Sequence, residues 1–385
     1  MFWGVGVEDT GGTELLSVAP SILAMTKHSP LFESLEESMY ASLVAVEFHL
    51  PRAVVSNEEV ARLAPNWTSQ KIFEKTGIFE RHVAADDECS SDLAFHAAEK
   101  LFASGACSRD EIDFVLLCTQ SPDYLLPTTA CLLQDRLKLR TGIGALDFNL
   151  GCSGYIYGLG LAQGLIETGQ AGNVLLLTGE TYSKFLRKED VGVRSIFGDA
   201  GSATLIRGTE SEVPLIGPYV YGTDGQGAAN LILKRHSLRL ACGSPKSDST
   251  GTTASANDDL SMNGPEIFSF ALDAVPRAVN ELLKRAQLHR DEIDLFVFHQ
   301  ANEFILNRLQ AKLQIPTERF FVALRDFGNT VSSTIPIALH TALAEGRLKS
   351  GMRIMLVGFG VGYSWGATLV RYAPGGLQSD ISTDA

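Results

Sequence analysis

Runs of apolar residues alternate with amphipathic segments along most of the chain. Uninterrupted apolar residues, mostly Val, Leu and Ile, occupy 114–117, 174–177 and 354–357, which is the pattern of strands that are covered on both faces. Apolar residues recur three and four positions apart in 92–106 and 270–287, and this spacing predicts amphipathic helices. The alternation predicts an α/β fold in which helices cover the sheets.

The second half of the chain repeats the pattern of the first half. "RDEIDFVLLCT" at 109–119 recurs as "RDEIDLFVFHQ" at 290–300, and "GSATLIRG" at 201–208 recurs as "WGATLVRY" at 365–372. The matches keep their order, so we expect two similar α/β halves related by pseudo-symmetry. Equivalent positions of the two halves carry Cys118 and His299.

The repeat sets the expected domain boundaries. The first half is expected over about 41–215 and the second over about 216–373. Residues 1–40 are expected to form a flexible N-terminal extension, with Met39 as a candidate natural start, and 374–385 a frayed tail. A Ser, Thr and Gly-rich stretch at 236–257 is expected to be a mobile loop.

Composition limits the classes of function. The chain has 385 residues and a net charge of −13, which argues against general binding to nucleic acid or to anionic membranes. Its six cysteines show neither a CxxC pair nor a zinc spacing with histidine, so we expect free thiols, no metal site and a cytoplasmic location. No stretch predicts a membrane span or a secretory signal.

Cys152 stands where an apolar run meets the start of a helical pattern, in "LDFNLGCSGYIYGLGLAQGL" at 146–165. A strand, a glycine-flanked turn and a helix would place its sulfur at a helix N-terminus, where the pKa of a thiol is expected to fall. The flanking Gly151 and Gly154 allow close approach of an acyl group. The alternative is a small buried residue of the core.

Three further segments carry polar groups at comparable junctions. His299 ends a buried strand in "DLFVFHQAN", and Asn329 precedes a Thr/Ser-rich helix start in "RDFGNTVSS". The glycine-rich "GFGVGYSWG" at 358–366 could present a backbone N–H to an oxyanion. A core histidine, a helix-capping asparagine and a plain tight bend are the respective structural alternatives.

Taken together and in this order, "GCSGY", "HQAN", "GNT" and "GFGVGYSWG" resemble the 3-oxoacyl-[acyl-carrier-protein] synthase III family of the thiolase superfamily. The resemblance covers about 41–373 and implies a duplicated five-layered α-β-α-β-α fold and a homodimer. It implies that Cys152 accepts the acyl group, and that His299 and Asn329 assist decarboxylation of malonyl-ACP. The implied substrates are an acyl-CoA or acyl-ACP primer and malonyl-ACP, with no cofactor, in fatty-acid initiation or a specialised acyl pathway.

The sequence departs from the family pattern at several positions. Val361 replaces the glycine whose N–H, with that of Cys152, completes the oxyanion hole. Leu126 replaces a phenylalanine that limits the acyl pocket across the dimer, which suggests a primer larger than acetyl. The residues that hold coenzyme A in well-known members align with Lys71, Lys75, Val191 and Phe304, and of these we retain only Lys75 as a candidate contact.

An acidic carrier protein is the expected partner of the cleft mouth. Asn302, Arg308 and Lys312 follow His299 on a predicted helix and are candidate contacts for the carrier or for CoA. The alternative is that both cations are ordinary solvated charges. Two other functions stay open: transfer of the acyl group from Cys152 to an alcohol or amine without decarboxylation, and a role as a non-catalytic dimer partner.

Overall fold

Two five-stranded sheets form the framework of the computed structural model, which describes residues 39–234 and 259–373. All of these residues belong to one compact unit. The expected extension, loop and tail lie outside the described residues, except that Met39 and Tyr40 begin the first strand. The sixth cysteine, Cys242, also lies outside the described residues, and the start at Met39 stays a prediction.

The first sheet contains strands from the first half of the chain. Its spatial order is β1-β7-β6-β4-β5, with β6, β4 and β5 parallel and β7 antiparallel to both β1 and β6. The bounds of these strands are β1 Met39–His49, β4 Phe114–Cys118, β5 Gly144–Phe148, β6 Asn173–Glu180 and β7 Ala200–Glu210. A separate hairpin pairs β2 Ala53–Ser56 with β3 Glu80–Val83.

The second sheet repeats this order with later strands. It runs β8-β14-β13-β11-β12, with β13, β11 and β12 parallel and β14 antiparallel to both neighbours. Its strands are β8 Ile216–Thr223, β11 Leu295–Phe298, β12 Phe320–Phe321, β13 Arg353–Gly360 and β14 Ser364–Arg371. Between them, β9 Leu231–Ile232 pairs with β10 Ser261–Met262.

Each sheet therefore uses its first, fifth, fourth, second and third strand in the same spatial order. The two copies of the "RDEID" motif each form a 3₁₀ turn that leads into β4 or β11. The predicted duplication is confirmed at the level of topology. The expected boundary between 215 and 216 lies between β7 and β8, and the division into two domains there stays a prediction.

The helices form where apolar side chains recur at helical spacing. In α3, for example, Ala94, Ala97, Ala98 and Leu101 form one fully buried stripe. The helices are α1 Asn57–Ala61, α2 Ser69–Thr76, α3 Ser90–Ala103, α4 Thr129–Arg136, α5 Gly154–Glu167, α6 Val191–Arg194, α7 Gly264–Ala286, α8 Glu303–Leu313 and α9 Thr334–Ala344.

Three apolar clusters show that the helices and sheets stack in five layers. The central cluster joins α5 and α9 to the inner faces of both sheets. One outer cluster packs α3 and α4 on the first sheet, and the other packs α7 and α8 on the second. Alternate residues of a strand face different layers, since Leu116 lies in the central cluster and Val115 in the outer one. The expected α-β-α-β-α fold is confirmed.

Candidate active site

Cys152 lies in the turn between β5 and α5, two residues before the helix begins. The turn is closed by a bond from Gly154 N to Gly151 O of 2.7 Å, and the side chain is buried at 6% exposure. The end of β13 packs directly against it: a Cβ on Gly360 would lie 3.0 Å from Cys152 Sγ. Glycine is required at 360 because any side chain there would displace the sulfur.

His299 follows the last residue of β11 and is buried. Its backbone N–H donates to Val357 O of β13 at 2.8 Å, and its ring packs edge-on against Phe359 with centroids 5.4 Å apart. Nδ1 lies 2.7 Å from the hydroxyl of Thr334, the first residue of α9. The imidazole is thus held on one side only, and Nε2 has no hydrogen-bond partner among the described residues.

Asn329 is pinned by its backbone to the segment before β7. Its N–H donates to Ile196 O at 2.8 Å, and its carbonyl accepts from Gly198 N at 3.0 Å. The side-chain oxygen accepts from Val331 N at 2.9 Å, but the N-cap position of the 3₁₀ segment Val331–Ser333 is Thr330, so Asn329 is not its capping residue. The bond leaves the Nδ2 donors without an acceptor in the described part of the chain.

Contacts through Thr334 and Val331 connect His299 to Asn329 and to the apolar cluster that contains Cys152. Thr334 Oγ1 contacts His299 Nδ1 and also lies 3.1 Å from Val331 O. Val331 in turn donates to Asn329 and shares an apolar cluster with Cys152. The sulfur comes from the first repeat and the other two groups from the second, as the sequence predicts.

The electrostatics of Cys152 differ from the expectation. Burial raises the pKa of the Cys152 thiol to about 12, and the nearby carboxyl of Glu180 adds to the rise. The residue's own backbone N–H lowers the pKa, but its effect is smaller than that of burial. The prediction of a lowered thiol pKa is wrong, because removal from water outweighs the helix terminus.

Burial also makes His299 neutral. It lowers the pKa of the imidazole to about 3, so the ring carries no charge at physiological pH. A neutral imidazole and a neutral thiol avoid the cost of isolated buried charges. The resting site therefore holds its reactive groups in uncharged form.

Glu180, at the end of β6, is a site residue that sequence reasoning missed. It is fully buried and accepts from Gln120 N at 3.1 Å, Ser121 Oγ at 3.3 Å and Ser332 Oγ at 2.7 Å. Burial raises the pKa of Glu180 to about 8, although these hydrogen bonds act in the opposite direction. The signal was available in "VLLLTGE", where a lone acid ends a buried apolar strand.

A cavity of about 270 Å³ lies against the apolar cluster that contains Cys152, although Cys152, His299 and Asn329 are not among its lining residues. The cavity shares four lining residues with the apolar cluster around the thiol, namely Tyr182, Leu231, Leu260 and Val361. Its polar lining residues are Gln120, Asn149 and Tyr182, and the remaining walls are formed by Phe185, Leu231, Ile232, Leu233, Leu260 and Val361. Gln120 was not predicted as a site residue, because "CTQSPD" matches no motif.

Val361 lies where the resemblance expects it, directly after β13 and beside Cys152. Its carbonyl accepts from Ser364 Oγ at 2.8 Å. Its N–H has no acceptor among the described residues. The backbone can therefore still donate at this position although valine replaces glycine.

The remaining predicted residues lie away from the thiol. Leu126 is 86% exposed and does not line the cavity within one chain. Asn302 caps α8 through a bond from Ile305 N of 2.9 Å. The cations have local partners: Lys75 lies over Trp67 and Arg308 over Phe304, and Lys312 donates to Leu272 O.

Neither a metal centre nor a membrane span is present in 39–234 and 259–373. No group of three or more His, Cys, Asp and Glu side chains there could hold a metal ion. None of the described helices is long and apolar enough to cross a bilayer. The five cysteines in these ranges are free thiols.

Two family models match the chain. The model described as 3-oxoacyl-[acyl-carrier-protein (ACP)] synthase III matches residues 146–225, and the model of the C-terminal part of that enzyme matches residues 283–372. The first range contains Cys152, and the second contains His299 and Asn329.

Similar proteins cover nearly all of the described residues. A beta-ketoacyl-[acyl-carrier-protein] synthase III of Clostridium perfringens is 36% identical over 331 residues, which are 86% of this chain and 99% of that protein. A crystal structure of a 3-oxoacyl-(acyl-carrier-protein) synthase III is 51% identical, covers 86% of this chain and 100% of its own, and superimposes with a TM-score of 0.82. The priming beta-ketosynthase of the R1128 polyketide pathway is 27% identical, with coverage of 88% and 97% and a TM-score of 0.79.

Proposed function

Because the chain belongs to the 3-oxoacyl-[acyl-carrier-protein] synthase III family, we propose that it joins an acyl primer to malonyl-ACP with loss of CO₂. As a member of this family the chain is an acyltransferase, and we assign the acyl intermediate to Cys152. The assignment is supported by a series of contacts that connects a buried thiol of one repeat with an imidazole and a carboxamide of the other. The sulfur of Cys152 is the reactive atom, and Nε2 of His299 and Nδ2 of Asn329 are available to a ligand because they have no partner among the described residues.

The first half-reaction loads the primer. Sγ of Cys152 attacks the carbonyl carbon of the primer thioester, the new C–S bond forms, and the bond to the donor sulfur breaks. The proton that leaves Cys152 is taken up by the departing thiolate, so the donor leaves as a thiol. Burial keeps the resting thiol neutral, so Sγ has to lose its proton in the course of this step.

Backbone amides stabilise the oxyanion of this step. We assign the N–H groups of Cys152 and Val361 as the two donors, since Val361 follows the strand that packs on the sulfur. A donor fixed in advance stabilises the charge as it develops and needs no rearrangement. Valine serves here because the backbone, and not the side chain, makes the hydrogen bond.

The second half-reaction uses His299 and Asn329. Thr334 Oγ1 lies 2.7 Å from His299 Nδ1 and 3.1 Å from Val331 O, so its single proton has two possible acceptors, and we assign it to Nδ1. A hydroxyl that donates to Nδ1 leaves the ring proton on Nε2, the tautomer that can donate to a substrate. Asn329 is oriented in the same sense, because Val331 N holds its oxygen and frees Nδ2.

These two donors hold the malonyl thioester oxygen while CO₂ leaves. The electron pair of the broken C–C bond passes into the enolate, whose oxygen carries the charge. The enolate carbon then attacks the acyl carbon on Cys152, a new C–C bond forms, and the bond to Sγ breaks. The released sulfur takes a proton, and the product is longer by two carbons. The chemistry requires no metal or organic cofactor.

The partner assignments rest on surface residues. We propose a homodimer in which Leu126 reaches the acyl pocket of the other subunit, since this side chain is exposed in the single chain. The carrier protein is acidic, and we propose that it approaches near Lys75, Asn302, Arg308 and Lys312. The free thiols agree with a cytoplasmic reaction in fatty-acid initiation or a specialised acyl pathway.

Carboxyl-labelled malonyl-ACP tests this function. With an acyl donor present, we expect labelled CO₂ and a product longer by two carbons, and without the donor little of either. Transfer of the acyl group to an alcohol or amine without CO₂ would overturn the proposal and support the non-decarboxylating acyltransferase.

The Asn329→Ala variant separates the two half-reactions. Loss of one oxyanion donor should lower condensation by about 10²–10³-fold and change self-acylation of Cys152 far less. Asn263→Ala removes the cap of α7 and serves as the matched control with wild-type rates. Equal loss in both half-reactions would contradict the role of Asn329.

A further inference from the structure

Three polar residues line the cavity next to the Cys152 cluster, and the side chain of one of them, Gln120, is held by a hydrogen bond and has no role in the proposed chemistry. Gln120 follows the end of β4 by two residues and lines the cavity next to Tyr182. Phe185, Leu231 and Leu260 supply apolar walls. Pockets of this kind are mostly apolar, and the few polar groups they contain fix the orientation and identity of the ligand.

The side chain of Gln120 is held in one position. Its Oε1 accepts the hydroxyl proton of Tyr182 at 2.5 Å and lies directly against Gly151, the residue before the nucleophile. Its backbone N–H donates to Glu180 at 3.1 Å. Tyr182 is itself fixed by ring contacts with Phe185 and Phe197, whose centroids lie 5.7 and 5.2 Å away.

This arrangement leaves the amide hydrogens of Gln120 without a partner. Nε2 has no hydrogen-bond acceptor among the described residues, and it is not fully enclosed by protein atoms. A water or a ligand atom in the cavity can therefore accept from it. Gln120 Oε1 packs on Gly151, the residue before Cys152, so an acyl chain on Sγ that entered the cavity would meet the Gln120 amide with its first carbons.

We propose that Gln120 is a specificity-determining residue that selects primers with an oxygen, hydroxyl or keto, on one of the first carbons after the thioester. The inference rests on the proposed acylation of Cys152 and deepens it by naming the substrate class. The cavity has room for such a group, since 270 Å³ exceeds the roughly 150 Å³ of a cavity that binds benzene.

The selectivity follows from the cost of an unpaired donor. A plain acyl chain would displace water from Gln120 Nε2 and offer no acceptor, and burial of an unsatisfied donor is unfavourable. A site built to hydrogen-bond its substrate discriminates strongly against the analogue that lacks the polar group, whereas an apolar pocket discriminates weakly. The Gln120 amide therefore acts mainly by penalising unsubstituted chains.

Acylation of Cys152 by matched donors tests the proposal. We would compare butanoyl-ACP with 2-hydroxybutanoyl-ACP and 3-hydroxybutanoyl-ACP, and follow the acyl-enzyme by intact-mass spectrometry. At least one oxygenated donor should acylate the wild-type protein about 10–100-fold faster than butanoyl-ACP. Equal rates for all three would overturn the inference and leave the proposed function intact, whereas no acylation by any donor would overturn both.

Variants identify the group responsible. Gln120→Leu should abolish the preference and speed up butanoyl transfer, and Tyr182→Phe should weaken the preference because it frees the amide to turn while keeping the ring. Gln170→Leu makes the same change at an exposed glutamine outside the cavity and should keep the wild-type ratio. An unchanged ratio in Gln120→Leu would overturn the assignment, and a Gln120→Leu protein that fails to fold leaves Tyr182→Phe to decide it.

Discussion

Cys152 is buried by apolar side chains and by the end of β13, and its thiol is therefore neutral at rest. Water would stabilise a thiolate but would also hydrolyse an acyl thioester, so a dry setting favours the intermediate. The cost is that the proton must leave during the attack. At the scale of residues, the site is organised to stabilise charge only when substrate is present.

Titration of Glu180 makes the stability of the folded protein depend on pH. Its pKa is raised from 4.5 to about 8 in the folded protein, so the native state binds one more proton than the unfolded state between these values. The stability that this contributes is fully present below about pH 4.5 and is lost as pH rises through about 8. Glu180→Gln removes the titration, and its free energy of unfolding relative to wild type should rise by roughly 1 kcal/mol per pH unit across this window.

Denaturant unfolding at several pH values measures this difference. The exposed Glu318 provides the control, because Glu318→Gln removes a carboxyl that is not buried. A stability difference between Glu180→Gln and wild type that does not change with pH would contradict the assignment of a proton to Glu180.

The sequence predicts some site residues better than others for a physical reason. Cys152, His299 and Asn329 stand at recognisable junctions of strand, turn and helix, where local pattern and chemistry coincide. Glu180 and Gln120 act through contacts between segments 60 residues apart in the chain, which local pattern does not reveal. The thiol pKa was predicted in the wrong direction because burial depends on the whole packed structure.

At the scale of elements, the same strand order in both sheets presents different chemistry. Strand β4 ends at Cys118, and His299 directly follows the equivalent strand β11. The His299 ring contacts the hydroxyl of Thr334, the first residue of α9. The buried strands and long helices follow from apolar periodicity. The two-residue strands β9, β10 and β12 are too short to carry a pattern, and the spatial order of strands is fixed by long-range pairing.

The close packing of β13 against the thiol can be tested by adding one methyl group to the strand. In Gly360→Ala, the new Cβ would lie 2.8 Å from Cys152 Cβ and 3.0 Å from Sγ, so the sulfur must move. A shift of this kind should lower the rate of Cys152 acylation by roughly 10²-fold. Quenched time courses of acylation with a single primer measure this rate.

Gly142→Ala is the matched control for this variant. A Cβ there meets no atom within 4 Å, so acylation and stability should stay at wild-type values. A Gly360→Ala protein that is acylated at the wild-type rate would show that β13 does not set the position of the sulfur.

At the scale of the whole molecule, an exposed apolar loop indicates the proposed subunit contact. Tyr124, Leu125 and Leu126 are consecutive and are all well exposed. Contiguous apolar side chains on the surface commonly mark an interaction site, and homo-oligomers with twofold symmetry are the commonest assemblies. We expect this loop to be buried in the homodimer.

Analytical ultracentrifugation, which distinguishes monomer from dimer, tests this expectation. Leu125→Glu should shift the protein from dimer to monomer, because a buried unpaired carboxylate is costly. Leu63→Glu places the same charge at another exposed leucine and should leave the dimer intact. A monomeric wild-type protein, or a Leu125→Glu protein that remains dimeric, would contradict the placement of the interface.

The central claim is that Cys152 carries the acyl group between the two half-reactions. Peptide mapping by mass spectrometry after one equivalent of acyl donor tests it most directly. We predict the acyl mass on the peptide that contains Cys152, its disappearance when malonyl-ACP is added, and no acylation of Cys152→Ala. Acyl mass on another residue, such as the neighbouring Cys118, or continued acylation of Cys152→Ala would contradict the claim.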